Sequence, residues 1–431
     1  MKLVKSKNFK KIQTIFDYDF VETLSLLGIN EKFCVAASGG PDSLCLVLLA
    51  NKFAKKNNLI MTVLTVDHGL RKESVEEAIW LGKILKKMKI KHYILRWNGK
   101  KPSSNIMDVA RSKRYELMTN KCHKIKVNYL LTAHHLDDQI ENFLMRLVQG
   151  SGLKGLSSMS KKTKINNIKI LKPLLDYEKK SLIKFLAQNK QKYIEDSSNK
   201  DISFDRIRHR KLLSGLIGEG LNKLKLNKLI SNLNQVDDAI NYSTIHSIKK
   251  TISQNKYGHI IIKKRVFFNL PKELQFRVLL FILKSNEDTK KRVRSESMLR
   301  LINIFNLKNF TKYTLNKSLF INQKYNILVV KEIGRISKKD FIKNKSFTWH
   351  STYKIHMNTS SYNEFRIGFA DNSFDKKFHF IKDKNLIEYM PAIWKKNQVI
   401  SIPFLDKRKK PIANCISLKI EDFREFKILS N

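Results

Sequence analysis

The stretch FCVAASGGPDSLCLVLL (33–49) joins two apolar runs through one short polar loop, Ser38-Gly39-Gly40-Pro41-Asp42-Ser43. The first run is short and reads as a strand, whereas the second continues at helical length, so the loop marks a strand-to-helix junction. Gly39 and Gly40 stand side by side in a chain with only 15 glycines in 431 residues. Glycine takes positive φ easily and lets a ligand approach the backbone. Pro41 and Asp42 suit a first helical turn, where free amides and the positive end of the dipole favour phosphate. No lysine follows, so this is not the GxxxxGK[ST] loop. Asp42 beside a phosphate implies a bridging divalent cation, Mg²⁺. The same six residues also suit an ordinary turn.

Outward from this loop, FCVAA (33–37), IMTVLTV (60–66), HYILRW (92–97) and NYLLTA (128–133) read as strands. Residues 43–56, 74–89 and 105–123 between them read as helices, the second opening on a capping-box pattern, Ser74-x-x-Glu77. Strand–helix alternation with near-continuous apolar strands predicts an α/β unit, a parallel sheet sandwiched by helices. Ligands of such sheets bind beyond the C-terminal strand ends. Twelve of the 15 glycines precede residue 221, and GLIGEG (215–220) is the expected end of this unit. Beyond it, 221–255 and 272–284 read as helices, 312–331 as short strands, and a last small unit from about 345 carries mixed strand patterning.

The chain has 84 Lys+Arg against 38 Asp+Glu, a net charge of +46. That excess implies a polyanionic partner, nucleic acid first, although AT-rich codon usage also enriches lysine. Cys34, Cys45, Cys122 and Cys415 form no CxxC pair, so no disulfide, zinc or iron–sulfur site is expected. No apolar run of membrane-spanning length stands out, and the expectation is a cytoplasmic protein.

Three further stretches carry chemistry. Val66-Asp67-His68-Gly69-Leu70-Arg71 ends the second strand, where a ligand would lie. In VARSKRY (109–115), Arg111, Arg114 and Tyr115 share a helical face at i, i+3 and i+4. Two arginines facing the phosphate loop suit charge developing on an α-phosphate; a solvated basic face is the alternative. In LLTAHHLDDQIENFLMRLVQGSGLKGL (130–156), Asp137 and Glu141 share a face beside Asp138. Three readings stay open: carboxylates at a helix start, a His134/His135/Asp137/Asp138 metal site, and an acidic pocket for a cationic substrate.

SGGPDS after a first strand resembles the SGGxDS pyrophosphate loop of the PP-loop ATPases. Followed by VDHGLR, ARSKRY, HHLDDQIEN and GSGLKGL in this order, it resembles the tRNA(Ile)-lysidine synthetase family, densely over about 33–210 and loosely beyond. That resemblance implies an adenine nucleotide alpha hydrolase-like catalytic domain over 1–215. It also implies a mostly helical tRNA-binding domain over 216–335 and a small α+β tRNA-binding domain over 345–431. The implied activity uses ATP and Mg²⁺ to adenylate the wobble cytidine of CAU-anticodon tRNA(Ile) at its C2 oxygen. Free L-lysine then attacks C2 and AMP leaves. Ser38, Gly39, Gly40, Pro41, Asp42, Ser43, Asp67 and His68 would bind ATP, Asp42 supporting Mg²⁺. Arg111 and Arg114 would serve adenylation; Asp137, Asp138 and Glu141 would hold lysine, Asp137 deprotonating it. Arg206, Arg208, His209 and Arg210 would contact tRNA phosphates. Two positions depart from the family pattern: Asn142 stands where Thr is usual, and Asp205 where Asn is common. A tRNA thiolase and a non-catalytic RNA-binding protein are the alternatives.

Overall fold

The computed structural model describes residues 19–69, 73–99, 106–194, 212–213, 215–286, 293–307, 309–332, 340–349, 353–370, 387–406 and 411–417. Two compact units divide between Asp238 and Ala239.

In the first unit, helix α1 is described over 19–26. There follow β1 (Phe33–Ala36), α2 (Pro41–Lys56), β2 (Met61–Asp67), α3 (Glu73–Lys87), β3 (Lys91–Arg96), α4 (Ile106–Lys124), β4 (Tyr129–Leu131), α5 (Leu136–Val148) and α6 (Leu153–Leu156). Next come β5 (Lys162–Ile165), β6 (Ile168–Leu171), α7 (Lys179–Gln188), helical residues 215–218 (α8), and the start of α9 (Lys223–Thr251). One six-stranded sheet runs β3-β2-β1-β4-β6-β5. All its pairings are parallel except the edge hairpin β5–β6, which turns through Asn166 and Asn167, both at positive φ. This hairpin lies outside the strands expected from the sequence.

Alternate strand residues face opposite layers. Val35, Leu131 and Leu171 pack in one core with α2 and α7 residues such as Leu44 and Phe185. Cys34, Leu130, Ile168 and Ile170 pack in another with Tyr115, Met118 and Cys122 of α4. Burial on both faces explains why the strands read as apolar runs rather than as alternating patterns. From β1 the chain winds to β2 and β3 on one side and then crosses to β4 on the other. The strand order therefore reverses between β1 and β4, where such folds open a crevice for ligands.

Helix α5 buries Leu136, Ile140, Phe143 and Leu144 against Leu213, Leu226 and Ile230. Asn142 donates to Ser158 Oγ at 2.7 Å, and the Gln139 amide clamps the Met159 backbone from both ends at 2.9 Å. The unusual asparagine thus anchors the loop that follows α6.

In the second unit α9 ends at Thr251, and β7 (Ile252–Gln254) and β8 (Ile260–Lys263) follow. With β9 (Lys312–Leu315), β10 (Ser318–Asn322) and β11 (Asn326–Lys331) they form an antiparallel sheet, β7-β8-β11-β10-β9. Helices α10 (Lys264–Phe268), α11 (Lys272–Asn286) and α12 (Ser295–Phe305) accompany it. Beneath them lies an apolar core that includes Ile262, Leu279, Leu301 and Phe320. The C-terminal described residues build a four-stranded and a three-stranded antiparallel sheet. Among the described residues no helix is long and apolar enough to cross a membrane.

Candidate active site

The loop after β1 is tied together by the Ser43 hydroxyl. Ser43 Oγ donates to Gly40 O at 3.0 Å and accepts from the Ser38 amide at 3.2 Å. Gly39 has φ +91°, and a Cβ there would stand 2.8 Å from Ile194 Cδ1. The Ile194 amide also donates to Gly39 O at 3.0 Å. Gly40 caps α2 in an extended conformation with no side-chain cap, and Pro41 begins the helix. A helix start without a side-chain cap beside a glycine at positive φ leaves its amides to an outside acceptor.

Beyond β4 the second histidine gathers acid. His135 is 5% exposed and caps α5, its Nδ1 accepting the Asp138 amide at 3.4 Å while Asp138 Oδ2 accepts the His135 amide at 3.1 Å. Its Nε2 lies 3.6 Å from Asp42 Oδ2 and 3.5 Å from Asp138 Oδ2, and its Nδ1 lies 3.8 Å from Asp137 Oδ2. Burial alone lowers its pKa, but hydrogen bonding to Asp42 and the charges of Asp138, Asp42 and Asp137 together raise it. Phosphate loop and acidic helix start are therefore joined through one buried imidazole. Asp42 Oδ2 is also 3.8 Å from Lys179 Nζ, while its Oδ1 is buried without a hydrogen-bond partner among the described residues.

Asp137 already binds an ammonium. Its Oδ1 accepts from Lys223 Nζ at 2.5 Å, and its Oδ2 accepts the first amide of α7, from Lys179, at 2.8 Å. Burial pushes its pKa up, yet the Lys179 amide and Lys223 ammonium outweigh burial and keep it below the ordinary carboxylate value. Glu178 Oε2 is 3.9 Å from the same ammonium. Glu141 lies one turn along α5.

The other face of the sheet gathers base. Arg111 and Arg114 both lie 5.7 Å from the centre of the Tyr115 ring, so the helical face read from sequence forms as expected. The first histidine, His134, bonds Thr132 Oγ1 at 3.0 Å. Burial, then the charges of Lys172, Arg111, Arg114 and His135, pulls its pKa down to about 3. Lys172, just beyond β6, is 5% exposed; its Nζ donates to Ser160 O at 3.1 Å and Thr163 Oγ1 at 3.2 Å.

Asp67 is committed to its own turn: Oδ1 accepts the Gly69 amide at 2.9 Å and the Ser74 hydroxyl at 2.7 Å, and Oδ2 is 3.9 Å from Arg96 Nε. Ser74, expected as a helix cap, lies inside α3 and is spent on this turn. His68 meets the Trp97 ring edge-on at 6.1 Å.

Asp42, Asp137 and Asp138 thus meet at His135, and Arg111 and Arg114 act on His134. Arg206, Arg208, His209 and Arg210 lie outside the described residues, as does Asp205. Among the described residues no group of three or more His, Cys, Asp and Glu is arranged to hold a metal by itself. Sequence reasoning gave no role to Lys172, Lys179, Lys223 or Ile194, and offered His135 only as part of a metal site. The legible signal was Lys172 itself, a lysine ending an apolar strand and followed by proline.

A family model described as the PP-loop domain matches residues 10–216. The chain is 34% identical over 312 residues to the tRNA(Ile)-lysidine synthase of Wolbachia pipientis wMel, covering 72% of each chain. It is 32% identical over 352 residues to that of Rickettsia typhi (strain ATCC VR-144 / Wilmington), covering 80% of this chain and 79% of the other. Against that of Orientia tsutsugamushi (strain Boryong) it is 29% identical over 398 residues, covering 87% and 89%.

Proposed function

The chain belongs to the tRNA(Ile)-lysidine synthase family, and from that membership we propose how its own residues divide the work. It is an ATP-dependent ligase that forms a carbon–nitrogen bond between lysine and tRNA(Ile). Membership decides among the alternatives left by sequence in favour of lysine ligation over thiolation or non-catalytic binding.

The substrate is the wobble cytidine of the CAU-anticodon species. Its C2 oxygen is a poor leaving group; attack of that oxygen on the α-phosphate of ATP makes it a good one and expels pyrophosphate. The amides and hydroxyls of Ser38–Ser43 hold the departing pyrophosphate, Asp67 and His68 border the nucleotide, and Arg111 and Arg114 offset charge growing on the α-phosphate. Asp42 fits a magnesium ion, because its buried Oδ1 has no hydrogen-bond partner among the described residues. When bound there, the ion supplies charge neutralisation to the phosphates.

Free lysine arrives as an ammonium with a pKa near 10.4, so it needs carboxylates to hold it and a base to take its proton. Asp137 is assigned both tasks, with Asp138 and Glu141 beside it. What carries the lysine-holding part of this assignment is that Asp137 already accepts a primary ammonium, that of Lys223, at 2.5 Å. After proton loss the ε-amine attacks C2, the bond to the adenylate oxygen breaks, and AMP leaves.

Arg206, Arg208, His209 and Arg210, with the residues over 216–335 and 345–431, are assigned to tRNA. The net charge of +46 supports a phosphate-binding surface, whose affinity falls steeply with salt. A tRNA and free lysine as substrates support a cytoplasmic reaction. The test is incubation of the protein with ATP, Mg²⁺, labelled lysine and mixed tRNA. Label is expected in the CAU-anticodon isoleucine species alone; label in methionine tRNA, or none, overturns the assignment.

A further inference from the structure

Among the described residues of the first unit, Lys172 is the buried cation that lysine ligation, as assigned here, leaves without a task. It is 5% exposed, and both acceptors of its ammonium, Ser160 O and Thr163 Oγ1, are neutral. Among the described residues no carboxylate lies against it. The charges around it are themselves basic: Arg111 of α4 acts on Lys172 directly, and Lys172, Arg111 and Arg114 all act on His134 at the exit of β4. The Lys172 amide is held by Lys161 O at 2.8 Å, so the position is fixed from both sides.

A buried ammonium without a counter-charge is costly, and other cations beside it raise that cost. A fold that only needed to fill this space would do better with an apolar side chain. Lys172 also stands where ligands of parallel sheets bind, at the C-terminal end of β6, next to β4. Its residue parity with Ile168 and Ile170 puts it on the face covered by α4.

We propose that Lys172 binds a substrate oxyanion together with Arg111 and Arg114, and that this oxyanion enters during lysidine formation. Resting on the adenylating reaction assigned above, the oxyanion has two sources of the same chemistry: the α-phosphoryl group of the nucleotide and the α-carboxylate of free lysine. Burial, then the neighbouring Arg111, pulls Lys172 down to about 8. The free enzyme therefore loses this charge as pH rises through about 8, and kcat/KM for the oxyanion's donor falls with it.

The experiment compares wild type, Lys172→Met and Lys172→Arg as full-length proteins with matched tRNA binding. Pyrophosphate release is measured with ATP, Mg²⁺ and tRNA before lysine is added. Lysine transfer from preformed adenylated tRNA is measured separately, with cadaverine as a lysine lacking its carboxylate. An α-phosphoryl ligand predicts that Lys172→Met slows pyrophosphate release at least tenfold and that lysine keeps its advantage over cadaverine. A carboxylate ligand predicts normal pyrophosphate release, a lysine KM raised at least tenfold, and loss of that advantage. In either case Lys172→Arg restores the rate and removes the alkaline fall near pH 8, because guanidinium does not titrate there. Wild-type rates and cadaverine discrimination in Lys172→Met overturn the proposal, as does an alkaline limb unchanged in Lys172→Arg. A wild-type protein that never makes lysidine would instead overturn the adenylating scheme itself.

Discussion

Two consecutive histidines leave the same strand and enter opposite fields. His135 is drawn in among Asp42, Asp137 and Asp138 and is pushed toward its charged form. His134, one residue earlier, is half-buried under the charges of Lys172, Arg111 and Arg114 and is held neutral. Both lie beyond the end of β4: His135 caps α5 among the carboxylates, whereas His134 bonds Thr132 and feels the charges of Lys172 and of the α4 arginines. One edge thereby offers an acidic pole and a basic pole. Lysine ligation needs both, since one substrate arrives as a cation and the other as a polyphosphate.

Disabling each pole in turn shows which half-reaction depends on it. Asp137→Asn is expected to slow lysine transfer to adenylated tRNA by about 10²–10⁴-fold while pyrophosphate release continues. Arg114→Ala is expected to do the reverse, slowing pyrophosphate release by about 10²-fold with transfer from preformed adenylate intact. Rapid-quench measurement of the two steps decides it; equal loss of both steps in both variants would merge the poles into one site.

A smaller effect lies in stability, read as melting temperature against pH. His135, raised above its unfolded value, stabilises fully below about pH 6.5, and that contribution is lost as pH rises through its folded pKa. His134, lowered to about 3, stabilises above about pH 6.5, and its contribution is lost as pH falls from there. His135→Gln should therefore flatten the alkaline side of the curve and His134→Gln the acid side. The expected scale is about 2–4 °C per kcal/mol in units of this size. Matching slopes in the two variants would show that the histidines share one environment.

The smallest change concerns Lys223, whose ammonium holds Asp137 at 2.5 Å. Lys223→Met removes an internal competitor for that carboxylate, and the KM for lysine should fall a few-fold in steady-state assays. A rise in KM would mean that Lys223 orients Asp137 instead.

Much of this could be read in the chain. The loop from Ser38 to Ser43, the four parallel strands around it and the Arg111–Arg114–Tyr115 face follow from apolar runs, glycine pairing and helical spacing. The β5–β6 hairpin escaped because KTKINNIKIL interleaves lysines with apolar residues, and its Asn166-Asn167 turn was the available sign. Strands β7 and β8 escaped because they adjoin a long helical pattern that ends at Thr251. The site residues that escaped share one feature: each acts through a partner distant in sequence, as Ile194 does on Gly39 and Lys223 on Asp137.

The sequence therefore determined the strand-to-helix loop and the order of the first strands and helices, because these depend on neighbours within a turn or two; adenylation and amine transfer came from the resemblance carried by its motifs. Which histidine meets acid, which lysine is buried without a counter-charge, and that Asp67 is spent on its own turn were decided only by tertiary structure. Burial and charge act through space, and the field at a side chain is the sum over residues that folding alone brings together.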